Sequence, residues 1–181
     1  MDDPWISVVI PVYHEKDNIG KLNDLLLGVL KTLDRPFEII YVDDGSRDET
    51  FSLLKGFCSQ SPCVKAIRLR RNFGQTAAMS AGFDFARGEI IVAMDGDLQN
   101  DPADIPALLS KLEEGYDVVN GWRKERKDKL LSRRIPSMIA NAVIGVTTGV
   151  RLHDYGCSLK AYRAEVIKNV PLYGELHRFI P

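Results

Sequence analysis

The chain has 181 residues, of which 45% are hydrophobic and 27% charged, a balance that suits one folded domain of ordinary size and excludes a disordered or fibrous class. Its 24 Lys and Arg against 25 Asp and Glu give a net charge of -1, so no global basic field points to nucleic acid, and any anion binding has to be local. Cys58, Cys63 and Cys157 are too few for a disulfide scaffold and form no CxxC pair for zinc, which makes reduced thiols in a cytosolic setting the expectation.

Ile6 to Val12 is a β-branched run interrupted only by Ser7 and Pro11, the pattern of a strand buried on both faces. Apolar residues from Ile19 to Leu33 then recur at helical spacing until Asp34-Arg35-Pro36 stops them. Phe37 to Asp43 reads as the second strand, and Ser46-Arg47-Asp48-Glu49 has the form of a capping box opening a helix through Phe57. Val64 to Leu69 reads as a strand, Thr76 to Ala86 as a helix of small residues, and Glu89 to Met94 as a strand. Asp101 and Pro102 can cap and start a helix to about Glu113, and Asp117 to Gly121 gives a fifth short strand. Strands that alternate with helices demand an α/β fold, a mostly parallel central sheet with helices on both faces, here in a single domain over residues 1–181.

In an open parallel sheet, ligands bind at the carboxyl ends of the strands. Here those ends are acidic: Tyr13-His14-Glu15 after the first strand, Asp43-Asp44-Gly45-Ser46 after the second, and Asp95-Gly96-Asp97-Leu98-Gln99 after the fourth. Two carboxylates about 4 Å apart repel by roughly 4 kcal/mol at an effective dielectric near 20, so a converging Asp95 and Asp97 call for a cation. Oxygen donors of this kind, with Gln99 adding one more, suit Mg2+ or Mn2+ bridging to a diphosphate. Asp43 or Asp44 can accept hydrogen bonds from a base or ribose, although Asp-Gly is also ordinary turn chemistry. Glu15 can equally be an early helix acid favoured by the macrodipole, and His14 is read as a loop residue. No G-x-G-x-x-G follows a strand, and Gly20-Lys21 is followed by Leu22, which argues against a dinucleotide dehydrogenase or a P-loop NTPase. The phosphates then fall to the cation and to basic side chains.

Gly121 to Arg134 holds seven basic and two acidic residues, a local charge of +5 that leaves -6 for the rest of the chain. Such a run is often a solvated face. Following the fifth strand, it also brings Arg123, Arg133 and Arg134 to the ligand edge, where they can grip phosphates bidentately. Arg70-Arg71-Asn72-Phe73-Gly74 follows the third strand in the same way, although its arginines read equally as plain surface residues. Ile135 to Val150 is too short and too polar for a spanning helix. It is read as packing on the sheet or as an amphipathic contact with lipid, so that membrane contact is peripheral.

The motifs Val9-Ile10-Pro11-Val12-Tyr13-His14-Glu15, Val42-Asp43-Asp44-Gly45-Ser46, Arg71-Asn72-Phe73-Gly74 and Asp95-Gly96-Asp97-Leu98-Gln99 together resemble family 2 glycosyltransferases of the GT-A fold, over nearly the whole chain. Ser132-Arg133-Arg134 and the run His153 to Arg163 resemble the polyprenyl-phosphate branch of that family. The resemblance implies transfer of a sugar, with inversion, from a UDP- or GDP-sugar to a polyprenyl phosphate at the cytoplasmic face of the membrane. It implies that Pro11, Tyr13, Glu15, Asp44 and the nearby Asp43 surround the nucleotide, that Asp95, Asp97 and Gln99 hold the metal and diphosphate, and that Arg123, Arg133 and Arg134 meet phosphate groups. Asp154 and Lys160 would border the sugar and acceptor. His14 stands where Asn is more common, and relatives usually continue past the position of Pro181, so the chain is expected to be the catalytic part of a longer protein. A saccharide acceptor, and a nucleotide-sugar binding module without activity, are the competing readings.

Overall fold

The structure, a computed structural model, describes residues 3–122, 156–170 and 172. Among them, β1 (Ile6–Val12), α1 (Ile19–Lys31), β2 (Phe37–Asp43), α2 (Thr50–Gln60), β3 (Val64–Arg68), α3 (Gln75–Phe85) and β4 (Ile90–Ala93) alternate as the sequence predicts. A 3-10 turn (Pro102–Asp104) leads into α4 (Ile105–Glu113), and β5 (Val118–Asn120), β6 (Lys160–Arg163) and the short α5 (Ala164–Ile167) follow. The sheet order is β3-β2-β1-β4-β6-β5. The first four strands of that order run parallel, whereas β6 is antiparallel to both β4 and β5. The expected α/β class is therefore present, with one antiparallel strand inserted between β4 and β5.

The central strands are buried on both faces because their side chains alternate between two apolar layers. Ile6, Val8, Ile10 and Val12 of β1 pack with Leu22, Leu26 and Leu30 of α1, Leu54 of α2 and Leu108, Leu109 and Leu112 of α4. Val9 of the same strand faces the other way, toward Ala78, Met79 and Phe83 of α3 and Ile167 of α5. The small residues of α3 have a packing cause: a Cβ on Gly82 would lie 2.3 Å from Val9 Cγ1, so only glycine lets this helix approach the sheet.

Two sequence expectations need correction. Ser46 does not cap α2, which starts at Thr50 after Glu49 with no side-chain cap. The Ser46 hydroxyl instead accepts the His14 N–H at 2.9 Å, and Asp48 accepts the Thr50 N–H at 3.1 Å. Glu15 is likewise no first-turn helix acid, since α1 begins four residues later. By contrast, Asp101 does accept the Ala103 N–H at 2.9 Å ahead of Pro102, as expected of a cap.

At the opposite end of the sheet from the ligand edge, Glu38 is buried at the start of β2. Ser7 Oγ donates to its Oε1 at 2.6 Å, the Arg87 N–H at 2.7 Å, and Lys65 pairs with its Oε2. Ser7 in turn accepts the Gly88 N–H at 2.8 Å. Burial pushes the Glu38 carboxyl up, but the bonds from Lys65, Ser7 and Arg87 outweigh it and hold the group below its ordinary value. Its ionised form therefore adds stability above the unfolded-chain value of about 4.3, and that gain is lost as pH falls through the lower folded value. Glu38→Gln is expected to cost about 1.5–3 kcal/mol at neutral pH. Urea unfolding across pH 3 to 7 checks this: the variant should show a shallower acid-side drop than the unaltered chain, and identical profiles would contradict the assignment.

Candidate active site

Because β1, β2, β3 and β4 are parallel, the segments that follow them leave at one edge of the sheet. The β1 tip turns sharply at His14, whose φ of 57° is left-handed. It is tied to the β2 exit three times: the His14 N–H on Ser46 Oγ, the Arg47 N–H on His14 Nε2 at 3.1 Å, and the Asp44 N–H on the Val12 carbonyl at 2.9 Å. His14 is thus a loop residue, as read from the sequence, and one that joins two loops. Its ring stacks on Tyr13 at 4.0 Å between centroids.

Asp44, 4% exposed, reaches from β2 to the segment after β3. Its Oδ1 accepts the Phe73 N–H at 2.7 Å and its Oδ2 the Gly74 N–H at 2.9 Å. Gly45, at φ 75°, closes the same junction: a Cβ there would sit 2.5 Å from the Arg71 carbonyl carbon, so the two loops meet backbone to backbone. Gly74 starts α3, whose first residue, Gln75, donates from Nε2 to Asp95 Oδ1 at 2.5 Å. The chain from β2 through α3 to the β4 exit is therefore one connected hydrogen-bonded set.

After β4, Gly96 lies directly on the β1 tip. A Cβ would be 2.9 Å from Val12 Cγ1 and 3.7 Å from Glu15 Cγ. Asp97 Oδ1 accepts the Gln99 N–H at 3.0 Å, leaving its second oxygen without a partner among the described residues. Leu98 between them is left-handed at φ 61°. The following Asn100 donates to Ser158 Oγ at 2.7 Å, which ties the acidic loop to the segment leading into β6.

A cleft of about 350 Å³ results, and six of the sequence-predicted residues line it together: Pro11, Tyr13, Glu15, Asp44, Asp95 and Asp97. Asn72, Gly74, Gln75 and Ala78 complete the wall and were not singled out as site residues. The Arg71-Asn72-Phe73-Gly74 run was the available signal for the first two, whereas Gln75 follows a motif that offers no reason to include it. The remaining predicted residues lie elsewhere. Asp43 is fully buried behind the cleft, with Oδ1 accepting the Ser46 N–H at 3.1 Å and Oδ2 3.3 Å from Arg68 Nε. Gln99 is exposed and does not line the cleft. Lys160, 3% exposed, opens β6 in register with Ala93, two residues before Asp95, at the ligand edge. Arg123, Arg133, Arg134 and Asp154 fall outside the described residues, as does Ile135 to Val150.

A carboxylate-lined cleft at the carboxyl ends of parallel strands is where α/β folds hold their ligands. The chain belongs to glycosyl transferase family 2, whose profile matches residues 7–170. It is 51% identical over 178 residues to dodecaprenyl-phosphate galacturonate synthase of Rhizobium johnstonii, covering 97% of this chain and 53% of that protein. It is 43% identical over 177 residues to undecaprenyl-phosphate 4-deoxy-4-formamido-L-arabinose transferase of Pseudomonas paraeruginosa, covering 97% and 52%. Both relatives are polyprenyl-phosphate sugar transferases by name, the branch that the sequence motifs resemble. The chain spans about half the length of these relatives. Among solved structures, glucosyl-3-phosphoglycerate synthase from Mycobacterium tuberculosis with Mn2+ and UDP-glucose shares the fold at TM-score 0.71 and 20% identity, over 93% of this chain and 59% of that one.

If the Asp44 clasp holds the β3–α3 segment in place, Asp44→Ala should raise amide exchange at Phe73 and Gly74 at least ten-fold and cost about 1.5–3 kcal/mol. Hydrogen exchange resolved by residue measures it, and unchanged protection at both amides would refute the clasp.

Proposed function

We propose that this chain is the donor-binding and catalytic part of an inverting glycosyltransferase that moves a sugar from a UDP- or GDP-sugar to a polyprenyl phosphate. The observation that carries the reading is the cleft itself: Pro11, Tyr13, Glu15, Asp44, Asp95 and Asp97 line one cavity at the ligand edge of a parallel sheet. The names of the relatives support the polyprenyl-phosphate acceptor, and the UDP-glucose complex of the structural neighbour supports a nucleotide sugar as donor. In this reading residues 1–181 form one GT-A domain of a longer protein.

Asp95 and Asp97 fit a hard divalent cation, Mg2+ or Mn2+. Both line the cleft, two residues apart across Gly96, and each offers carboxylate oxygens. That donor set suits an ion that keeps waters and substrate oxygens in its shell. When bound, such an ion would neutralise charge developing on the departing diphosphate.

The chain's own residues do the positioning. Tyr13, Pro11 and Asp44 are assigned to wall the nucleotide, and Asp97, which lines the same cleft with one oxygen unengaged among the described residues, to the metal and diphosphate. Arg123, Arg133 and Arg134 are assigned to the phosphate groups, and Asp154 with Lys160 to orienting sugar and acceptor. An acceptor phosphate oxygen forms the new bond to the anomeric carbon from the face opposite the donor diphosphate. The anomeric carbon–oxygen bond to that diphosphate breaks, and the nucleoside diphosphate leaves. A phosphate monoester has its second pKa near 6, so the attacking oxygen is largely anionic at neutral pH and needs no dedicated base. Contact with the cytoplasmic face of the membrane is assigned as peripheral; among the described residues no helix is long and apolar enough to cross a bilayer.

A thermal-shift panel of UDP- and GDP-sugars with and without Mn2+ tests donor and metal together, since a ligand at 100 times its Kd stabilises by about 2.7 kcal/mol. Asp97→Ala is expected to abolish the metal-dependent part of the shift and to lower turnover with polyprenyl phosphate by about 100-fold or more. Full turnover in that variant would overturn the assignment. Turnover with free saccharides alone would move the acceptor, and donor binding without turnover in the full-length protein would favour a binding module.

A further inference from the structure

Next to the acidic cleft is a second cavity of about 480 Å³ that shares Tyr13 and Asn72 with it but has the opposite charge. Four guanidinium side chains line it, those of Arg47, Arg68, Arg70 and Arg71, and no carboxylate does. Arg68 is partly neutralised by the buried Asp43 and donates from Nη2 to the Ser46 carbonyl at 3.1 Å. Arg47, Arg70 and Arg71 have no carboxylate within ion-pair distance among the described residues. A chain whose net charge is only -1 thus gathers four like charges around one space, three of them without an ion-pair partner among the described residues.

All four arginines are exposed, and three of them are held against neighbouring rings. Arg71 Cζ lies 4.8 Å and Arg70 Cζ 5.8 Å from the Phe73 ring centroid, and Arg68 Cζ 4.7 Å from that of Phe51, so three of the four guanidiniums rest against aromatic rings. The backbone beneath them is held by the Asp44 clasp on Phe73 and Gly74 and by the close contact of Gly45 with Arg71. Arginines, each able to donate two parallel bonds, match the oxygens of a phosphate group, and several of them together suit its higher charge.

We propose that this cavity is a second anion site, separate from the metal-dependent donor cleft, that binds a phosphate or diphosphate group through Arg47, Arg70 and Arg71. Its ligand touches Tyr13 and Asn72, which also face the nucleotide cleft, so occupancy of one site alters affinity at the other, and the coupling is reciprocal. The site takes its ligand without a divalent ion, since the arginines already supply the positive charge.

The test is calorimetric titration of the chain with inorganic pyrophosphate in EDTA, at low and at 0.5 M NaCl. The unaltered chain should bind, with affinity weakening as salt rises. The triple variant Arg47→Gln/Arg70→Gln/Arg71→Gln should bind at least ten-fold more weakly at an unchanged unliganded Tm, with Arg→Lys at the same positions intermediate because charge is kept and the fork lost. Asp97→Ala should bind pyrophosphate as the unaltered chain does, which separates this site from the donor cleft. Flotation with phosphatidylglycerol vesicles against phosphatidylcholine vesicles identifies the source: arginine-dependent flotation names a lipid headgroup, and pyrophosphate binding without flotation names a soluble phosphate. No pyrophosphate or vesicle binding, or binding equal in the triple variant, would overturn the proposal.

Discussion

Asp44 sits where three loops could drift apart and instead meet. A carboxylate that leaves a buried strand has either to face water or to find donors, and here both oxygens find backbone N–H groups, those of Phe73 and Gly74. Charge-assisted bonds of this kind are about twice as strong as neutral ones. The bonds also fix where α3 begins, and the first residue of α3, Gln75, reaches Asp95. The position of Asp95, just after β4, therefore depends through a helix start on a carboxylate just after β2. Gly45 adds the steric half of the constraint, because any side chain at that position would force the two loops apart.

The same clasp separates two electrostatic environments. On one side lie Glu15, Asp95 and Asp97, with Asp44 partly spent on backbone amides. On the other lie four arginines with only Asp43 among them. Tyr13 and Asn72 form the partition. Close charges of one sign cost free energy in the empty protein, and that cost is removed when an ion of the other sign arrives. By charge alone a cation suits the first cavity and an anion the second.

Much of this was legible in the sequence because strand periodicity and strand-end chemistry are local. Ile6–Val12 and Phe37–Asp43 could be bounded to the residue, since both runs are apolar and end at proline, aspartate or turn residues. The rule that ligands gather at parallel strand ends then brought Asp44, Asp95 and Asp97 together without any coordinates. What the sequence obscured were choices between neighbours with identical side chains. Nothing in Asp43-Asp44 says that the first turns inward to Ser46 and Arg68 and the second toward the cleft; the alternation of β2 against its partners decides it. Ser46 matched a capping box, but the nearer competitor for its hydroxyl was the His14 amide on another strand, 32 positions away in sequence. Strand β6 escaped notice because four residues, Lys160–Arg163, carry too weak a period to stand out, and their pairing with β4 is long-range and antiparallel.

The two ends of the sheet treat charge in opposite ways. At the amino end, Glu38 is enclosed by Ser7, Lys65 and the Arg87 amide, so its charge is met within the protein and serves folding alone. At the carboxyl end, Asp97 is held through one oxygen by the Gln99 amide, and its second oxygen has no partner among the described residues. Left-handed backbone at His14 and Leu98 occurs beside these groups, a cost that non-glycine residues bear only where surrounding bonds enforce it. His14 is enforced by Ser46 and Arg47, and Leu98 by the turn from Asp97 to Gln99. The amino end thus meets its buried charge internally, whereas the carboxyl edge carries an unpaired Asp97 oxygen and left-handed turns beside the cleft.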